Sequence, residues 1–286
     1  MPKRALPIKV KCSAPADHFC IRNPLSDIQG SIRPIYERGT SMTKSNRVSM
    51  IRLLVLAVLV LAATSWGQTR PPILEQVAKT YGLDSWNQVE AIRYTWNGEI
   101  TGLFKASRIW EWEPKTGKVS YEGKDKDGKP VKVTYMRSEI NPQADDVKKQ
   151  TDAGFTNDNY WLLFPLHAYW DTSATVTDQG MKKLPTGAGS ATLVSVKYPA
   201  ELGGYTPGDT WDLYVGKDNR VQVLVFHHGG DKKPSLVTAT WAGYKKVGPL
   251  LISTEHRGNA DGKPLHISIS DVSVKLTGSN TWMKAE

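Results

Sequence analysis

Cysteine is nearly absent. Cys12 and Cys20 are the only two in 286 residues. Both precede an apolar run at Leu53–Ala63, so the chain beyond that run has no disulfide and must be held by its core. With His18 between them they offer two or three ligands, at a spacing that matches no zinc pattern. Long apolar stretches are lacking too. Leu53–Ala63 is far shorter than the about 20 residues a membrane span needs. Excess charge is only nominal. The formal charge of +9 comes mostly from residues 1–49, which hold nine Lys/Arg and three Asp/Glu. Setting these and Arg52 aside from totals of 37 and 28 leaves 27 basic and 25 acidic residues. So balanced a chain makes no electrostatic case for nucleic acid. Lys182-Lys183, Lys232-Lys233 and Lys245-Lys246 are short pairs beside turns, as expected of solvated loops and strand edges.

What is present begins with Met50–Gln68. Arg52 is a basic head, Leu53–Ala63 an apolar run, and Thr64–Gly67 a tail of small residues around Trp66. That order is expected of a secretory signal peptide over 50–67, cut after Gly67 with Ser65 and Gly67 at the recognition positions. No cysteine follows the run, so lipid attachment at the new N-terminus is not expected. Residues 1–49, rich in Pro, Ser, Lys and Arg without apolar periodicity, are expected to be an extension without a fold. Met42 and Met50 are both workable starts, and N-terminal sequencing of the exported protein distinguishes them.

Beyond Gln68 the periodicity changes twice. Ile73, Leu74, Val77, Ala78 and Tyr81 recur at helical spacing after Pro71-Pro72, with Gly82 as a stop, predicting a helix over 72–81. The period then becomes two. Ile92, Tyr94 and Trp96, then Trp110 and Trp112, then Val131, Val133 and Tyr135 alternate with polar residues, as in half-buried antiparallel strands. Asp127-Gly128 marks a hairpin between two such runs. Residues 141–159 are polar, with a short helix possible after Asn141-Pro142. Tyr160–Phe164 is the densest apolar run of this region, expected as a helix capped by Asp158 or Asn159 and ended or kinked by Pro165. Residues 172–190 read as loop. The last third reads as a meander through Leu193–Tyr198, Trp211–Val215, Val221–Phe226, Leu236–Trp241, Leu250–Thr254 and Leu265–Leu276. The last run changes phase after Ile269, which a β-bulge near Ser270-Asp271 corrects. The expected fold is mainly β: some nine to eleven strands in one curled antiparallel sheet, a half-open barrel, with a few short helices on its concave face, as a single domain over 68–286. Tyr160–Phe164 is placed as a plug on the concave side.

The segments ILEQVAKTYGLDSWNQVEAIRYTWNGEI, NDNYWLLFPLHAYWD, GDTWDLYVGKDNRVQVLVF and TWAGYKKVGPLLISTEH follow one another as helix, meander, apolar helical insertion and second meander. In that order the chain over 71–276 resembles periplasmic lipoprotein carriers and lipoprotein-sorting proteins of the LolA/LolB-like kind. The resemblance implies a periplasmic protein with a hydrophobic cavity for acyl chains and no catalytic activity. No signature motif carries a functional residue across.

The residues offer little else in the way of chemistry. His227 and His228 are adjacent on a strand and point to opposite faces, and no H-E-x-x-H occurs, so no metal or cofactor is expected. Glu111 and Glu113 share a face at a spacing glycosidases use, but they alternate with Trp110 and Trp112 and read as the wet side. There is no G-x-S-x-G elbow, and Gly187–Thr192 leads into a strand rather than a phosphate-binding helix. The expected partner is a lipid or acylated ligand. The expected cavity residues are Trp96, Trp110, Trp112, Tyr160, Trp161, Phe164 and Trp241. The alternatives are a secreted hydrolase using His and Glu, and a carbohydrate-binding or structural module with exposed rings.

Overall fold

The computed structural model describes residues 70–125, 127–201, 207–229 and 235–286. The extension over 1–49 and the signal peptide over 50–67 lie outside the described residues.

Helix α1 (Pro72–Thr80) starts on Pro71-Pro72, where a missing N–H costs nothing, and buries Leu74, Val77 and Ala78. It ends before Gly82, whose φ of 106° suits the reversal. A short 3-10 turn leads into β1 (Val89–Ile100), β2 (Phe104–Glu113), β3 (Lys118–Lys124) and β4 (Pro130–Met136), each paired antiparallel with the next. Helix α2 (Asp146–Trp170) follows. Then come β5 (Thr175–Lys183), β6 (Ser190–Lys197), β7 (Thr210–Val215), β8 (Val221–His227) and β9 (Leu236–Thr240). A small ribbon of β10 (Lys245–Val247) and β11 (Leu250–Ile252) precedes β12 (Glu255–Ala260), β13 (Lys263–Leu276) and β14 (Trp282–Lys284).

The main sheet has 12 strands, in the order β4-β3-β2-β1-β13-β12-β9-β8-β7-β6-β5, with β14 added to β13. The long β13 joins the two meanders by pairing with β1. Among the described residues the sheet does not close, and β4 and β5 are its edges. It does curl, because one helix touches strands far apart in it. Phe155 of α2 packs edge-on against Trp110 and Trp112 of β2, while Trp161 packs against Trp211 of β7. β2 and β7 are six places apart in strand order. Lying flat they would stand about 29 Å apart, whereas six residues of helix advance only about 9 Å. The sheet therefore wraps α2 on its concave face.

Three expectations need correction. The helix over Tyr160–Phe164 is part of the second half of a longer one, which begins on Asp145, whose carboxylate accepts from Lys148 N at 2.8 Å. Its first turn is exposed, but the polar stretch that follows turns Thr151, Asp152, Thr156 and Asp158 into the interior. Asp152 meets Arg137 Nε at 3.1 Å, and Asp158 meets Arg108 Nη1 at 2.7 Å. Pro165 sits inside the helix and kinks it, leaving Leu163 at φ −127°, ψ 17°. Second, the supposed loop over 172–190 contains β5, an edge strand in which only Val176 is buried, so its sequence lacks the apolar alternation. Third, the strands among the described residues number fourteen, because β5, β10, β12 and β14 are polar or short.

The phase change in β13 is a bulge at Asp271, at φ 54°. Pairing with β1 shifts from Arg93↔Ser273 to Thr95↔Ser270. This returns Val272 and Val274 to the buried face shared by Leu265, Ile267 and Ile269.

Candidate functional site

Between α2 and the open end of the concave face lies a cavity of about 520 Å³. The ends of antiparallel strands bring its walls together. Residues 100 and 104 pair across the β1–β2 turn, and Ile100 pairs with Leu265 of β13. Val237 of β9 pairs with Phe226 of β8, which pairs with Trp211 of β7. All these side chains share the concave parity, so one row of apolar groups crosses from β2 to β7 beneath α2. The helix closes the cavity with Ala153, Thr156, Asn157, Tyr160 and Trp161.

Of the seven residues expected from sequence, Trp96, Tyr160 and Trp161 line this cavity. The other four are packed in the core beside it. Trp110 and Trp112 clasp Phe155. Phe164 stacks on Trp211 with ring centroids 4.3 Å apart. Trp241 lies behind Trp161 at 5.8 Å and against His256 at 4.1 Å. Alternation in sequence gives the face of a ring but not its depth along the strand.

The sequence reading also missed wall residues. Phe104 and Arg108 share the inward parity of Trp110 and Trp112, and that parity was the available signal. Arg108 is the cation of the wall. Its guanidinium lies 4.9 Å over the Trp96 ring and 5.6 Å from that of Phe104. Its Nη1 donates to Asp158 Oδ1 at 2.7 Å. Asp158 is fully buried and also accepts from Asn157 Nδ2 at 3.0 Å and Trp110 Nε1 at 2.8 Å. Burial raises the Asp158 pKa, while the Arg108 charge and these hydrogen bonds oppose the rise. At the far end, Asp209 Oδ1 accepts from Gly229 N at 2.6 Å and faces His228 Nδ1 at 3.0 Å. Burial raises the Asp209 pKa against the pull of those two partners. Tyr160 is fixed by donating to Asp171 Oδ2 at 2.8 Å and stacking on His167 at 4.2 Å.

The acid–base candidates do not gather. Glu111 bonds Arg93 Nε at 2.9 Å and Glu113 bonds Lys118 at 3.1 Å, both on the outer face. His227 turns outward to Asp212 at 3.1 Å, opposite to its neighbour His228. His266 pairs with Glu255, and His256 is buried with Nδ1 on the Thr240 carbonyl at 3.2 Å. Among the described residues no three His, Cys, Asp or Glu side chains form a metal-holding group, and no tryptophan is exposed. No helix among them is long and apolar enough to cross a membrane.

No family model and no curated protein matches the chain. Among solved structures it is similar to a LolA superfamily protein from Nitrosomonas europaea, at 6% identity and a TM-score of 0.45, over 71% of this chain and 92% of that one. It is also similar to the Mycobacterium tuberculosis lipoprotein LppX, at 10% identity and a TM-score of 0.26, over 74% of this chain and 98% of that one. The first of these bears the family name suggested by the order of elements along the sequence.

Proposed function

We propose that this chain is an exported, non-catalytic protein that binds or carries a lipidic ligand in the cavity between α2 and the sheet. The observation that carries the reading is the cavity itself: about 520 Å³, walled by aromatic and aliphatic side chains, with polar groups at only a few points. That size and lining suit a small apolar ligand. Export rests on the sequence of Met50–Gln68.

A single acyl chain is the guest of the right scale. Each buried methylene gains about 0.8 kcal/mol. Ten of them therefore supply about 8 kcal/mol, against an association cost of about 4–15 kcal/mol. Short tails fall below that cost, so affinity rises steeply with chain length. The carbohydrate-platform alternative needs a row of exposed rings, and among the described residues no tryptophan is exposed.

The test is titration of the folded protein with N-phenyl-1-naphthylamine, a neutral apolar fluorophore, followed by displacement with acyl compounds. Trp96, Trp161 and Trp211 line the cavity, so energy transfer from them reports entry. Ile267→Trp fills the cavity and abolishes binding, while Ser107→Trp on the outer face leaves it intact. A folded protein that takes up neither the fluorophore nor any acyl compound removes the proposal.

A further inference from the structure

The geometry points to an acidic single-chain amphiphile as the ligand, its carboxylate or phosphate held by Arg108 and its tail running along the apolar row toward Trp211. This rests on the cavity reading above and names the ligand class of the same site.

Arg108 is a prepared anion donor. Asp158 engages Nη1, and the Trp96 and Phe104 rings hold the guanidinium plane. Among the described residues Nε and Nη2 have no protein partner, so donors in a fixed fork remain for an oxyanion. The Arg108–Asp158 pair is neutral as a whole, but it is asymmetric. The Asp158 side chain is fully buried, while the Arg108 side chain is 21% exposed, at the cavity wall. The positive end of the pair is therefore the one a guest meets.

The remaining charges set the orientation. Glu99 lines the wall at the β1 end of the row, and Lys105 answers it at 3.0 Å. Asp209 lines the other end of the row, beyond Trp211 and Phe226. Its carboxylate already accepts from Gly229 N and faces His228 Nδ1 at 3.0 Å, so that end offers an acid head a carboxylate and an imidazole already engaged, and leaves the Arg108 end as its place. Between the two ends the sheet side of the wall is apolar, and Thr156 and Asn157 of α2 are its polar points. Tail burial gives most of the affinity, and Arg108 gives the preference among head groups.

The experiment compares three probes of equal tail length by displacement of N-phenyl-1-naphthylamine: dodecanoate, methyl dodecanoate and dodecylamine. The wild-type protein is expected to bind dodecanoate about tenfold to hundredfold more tightly than the ester, as for a charge-assisted hydrogen bond. The amine is expected to bind no better than the ester. Removing Arg108 alone strands a buried Asp158, so the variant used is Arg108→Met with Asp158→Asn, which keeps the site neutral and filled. It is expected to bind all three probes at the wild-type ester's level. Equal binding of acid and ester by the wild type, tighter binding of the amine, or an acid preference that survives in the double variant overturns the Arg108 assignment. In each of those cases the probes still bind, so the cavity reading stands. Failure of all three probes and of the fluorophore overturns the cavity reading instead.

Discussion

A methyl group on Gly98 would lie 2.1 Å from Cη2 of Trp96, which is no distance for two carbons. The two residues stand on the same face of β1, and the indole lies flat across the glycine. The floor of the cavity therefore depends on a missing side chain. Gly98→Ala is expected to push the ring outward into the space a ligand needs. Affinity for an acyl probe falls about tenfold or more. Far-ultraviolet circular dichroism stays unchanged, because β1 keeps its pairings. Unaltered affinity in a folded Gly98→Ala protein would mean that the ligand does not lie on Trp96.

The ion pair on the wall makes a prediction about stability as well as about ligand. Asp158 has three donors in place and no exposure, so breaking the pair leaves a buried charge unanswered. Arg108→Met is expected to destabilise by about 3–5 kcal/mol. Adding Asp158→Asn is expected to recover most of that loss. Urea unfolding of the two single variants and the double variant gives the coupling. Additive losses would show that the pair is not coupled.

Asp171 holds the mouth of α2 together. Its Oδ2 accepts from Tyr160 at 2.8 Å and from Tyr198 at 2.7 Å, joining the helix end to the strand edge. Asp171→Ala strands two buried hydroxyls and is expected to cost about 3 kcal/mol. Tyr198→Phe removes one donor cleanly and is expected to cost about 1 kcal/mol. Thermal or urea unfolding compares them, and equal losses would contradict the arrangement. Because Tyr160 lines the cavity, Asp171→Ala is also expected to weaken probe binding.

His256 sets a pH dependence. Burial lowers its pKa to about 3, from an ordinary 6.5, with the Thr240 carbonyl acting weakly the other way. The folded form keeps the imidazole neutral where the unfolded chain protonates it. Its contribution is therefore present above pH 6.5 and is lost as pH falls toward 3. Between pH 7 and pH 4.5 it amounts to about 2.5 kcal/mol. His256→Gln is expected to flatten that part of the stability profile, and urea midpoints at the two pH values measure it. A wild-type profile no steeper than that of the variant would exclude His256 as the source.

Much of the fold was legible from period and punctuation. The helix after Pro71-Pro72, the alternating rings of β1 and β2, the hairpin at Asp127-Gly128, the kink at Pro165 and the bulge at Asp271 each have a local cause that sequence displays. The polar half of α2 was not legible. Asp152 and Asp158 become core residues only because Arg137 and Arg108 arrive from the sheet, and those pairings join positions 15 and 50 residues apart. β5 hid for the opposite reason: an edge strand buries so little that it keeps a loop's composition. At the site, alternation marked Trp96, Trp110 and Trp112 alike as inward. Which of them faces empty space depends on how far each lies from the β1–β2 turn and on where α2 crosses. Arg108 was overlooked because a cation at an inward position looks like a break in the pattern until its partner is seen.

The central claim is that the space under α2 is made for a hydrophobic guest, and native mass spectrometry of the protein purified from its native source tests it most directly. The expected spectrum shows a folded protein carrying one acyl-bearing molecule, which is released on unfolding and lost from Ile267→Trp. A folded wild-type protein with no adduct, which also stays empty after incubation with dodecanoate, would contradict the account.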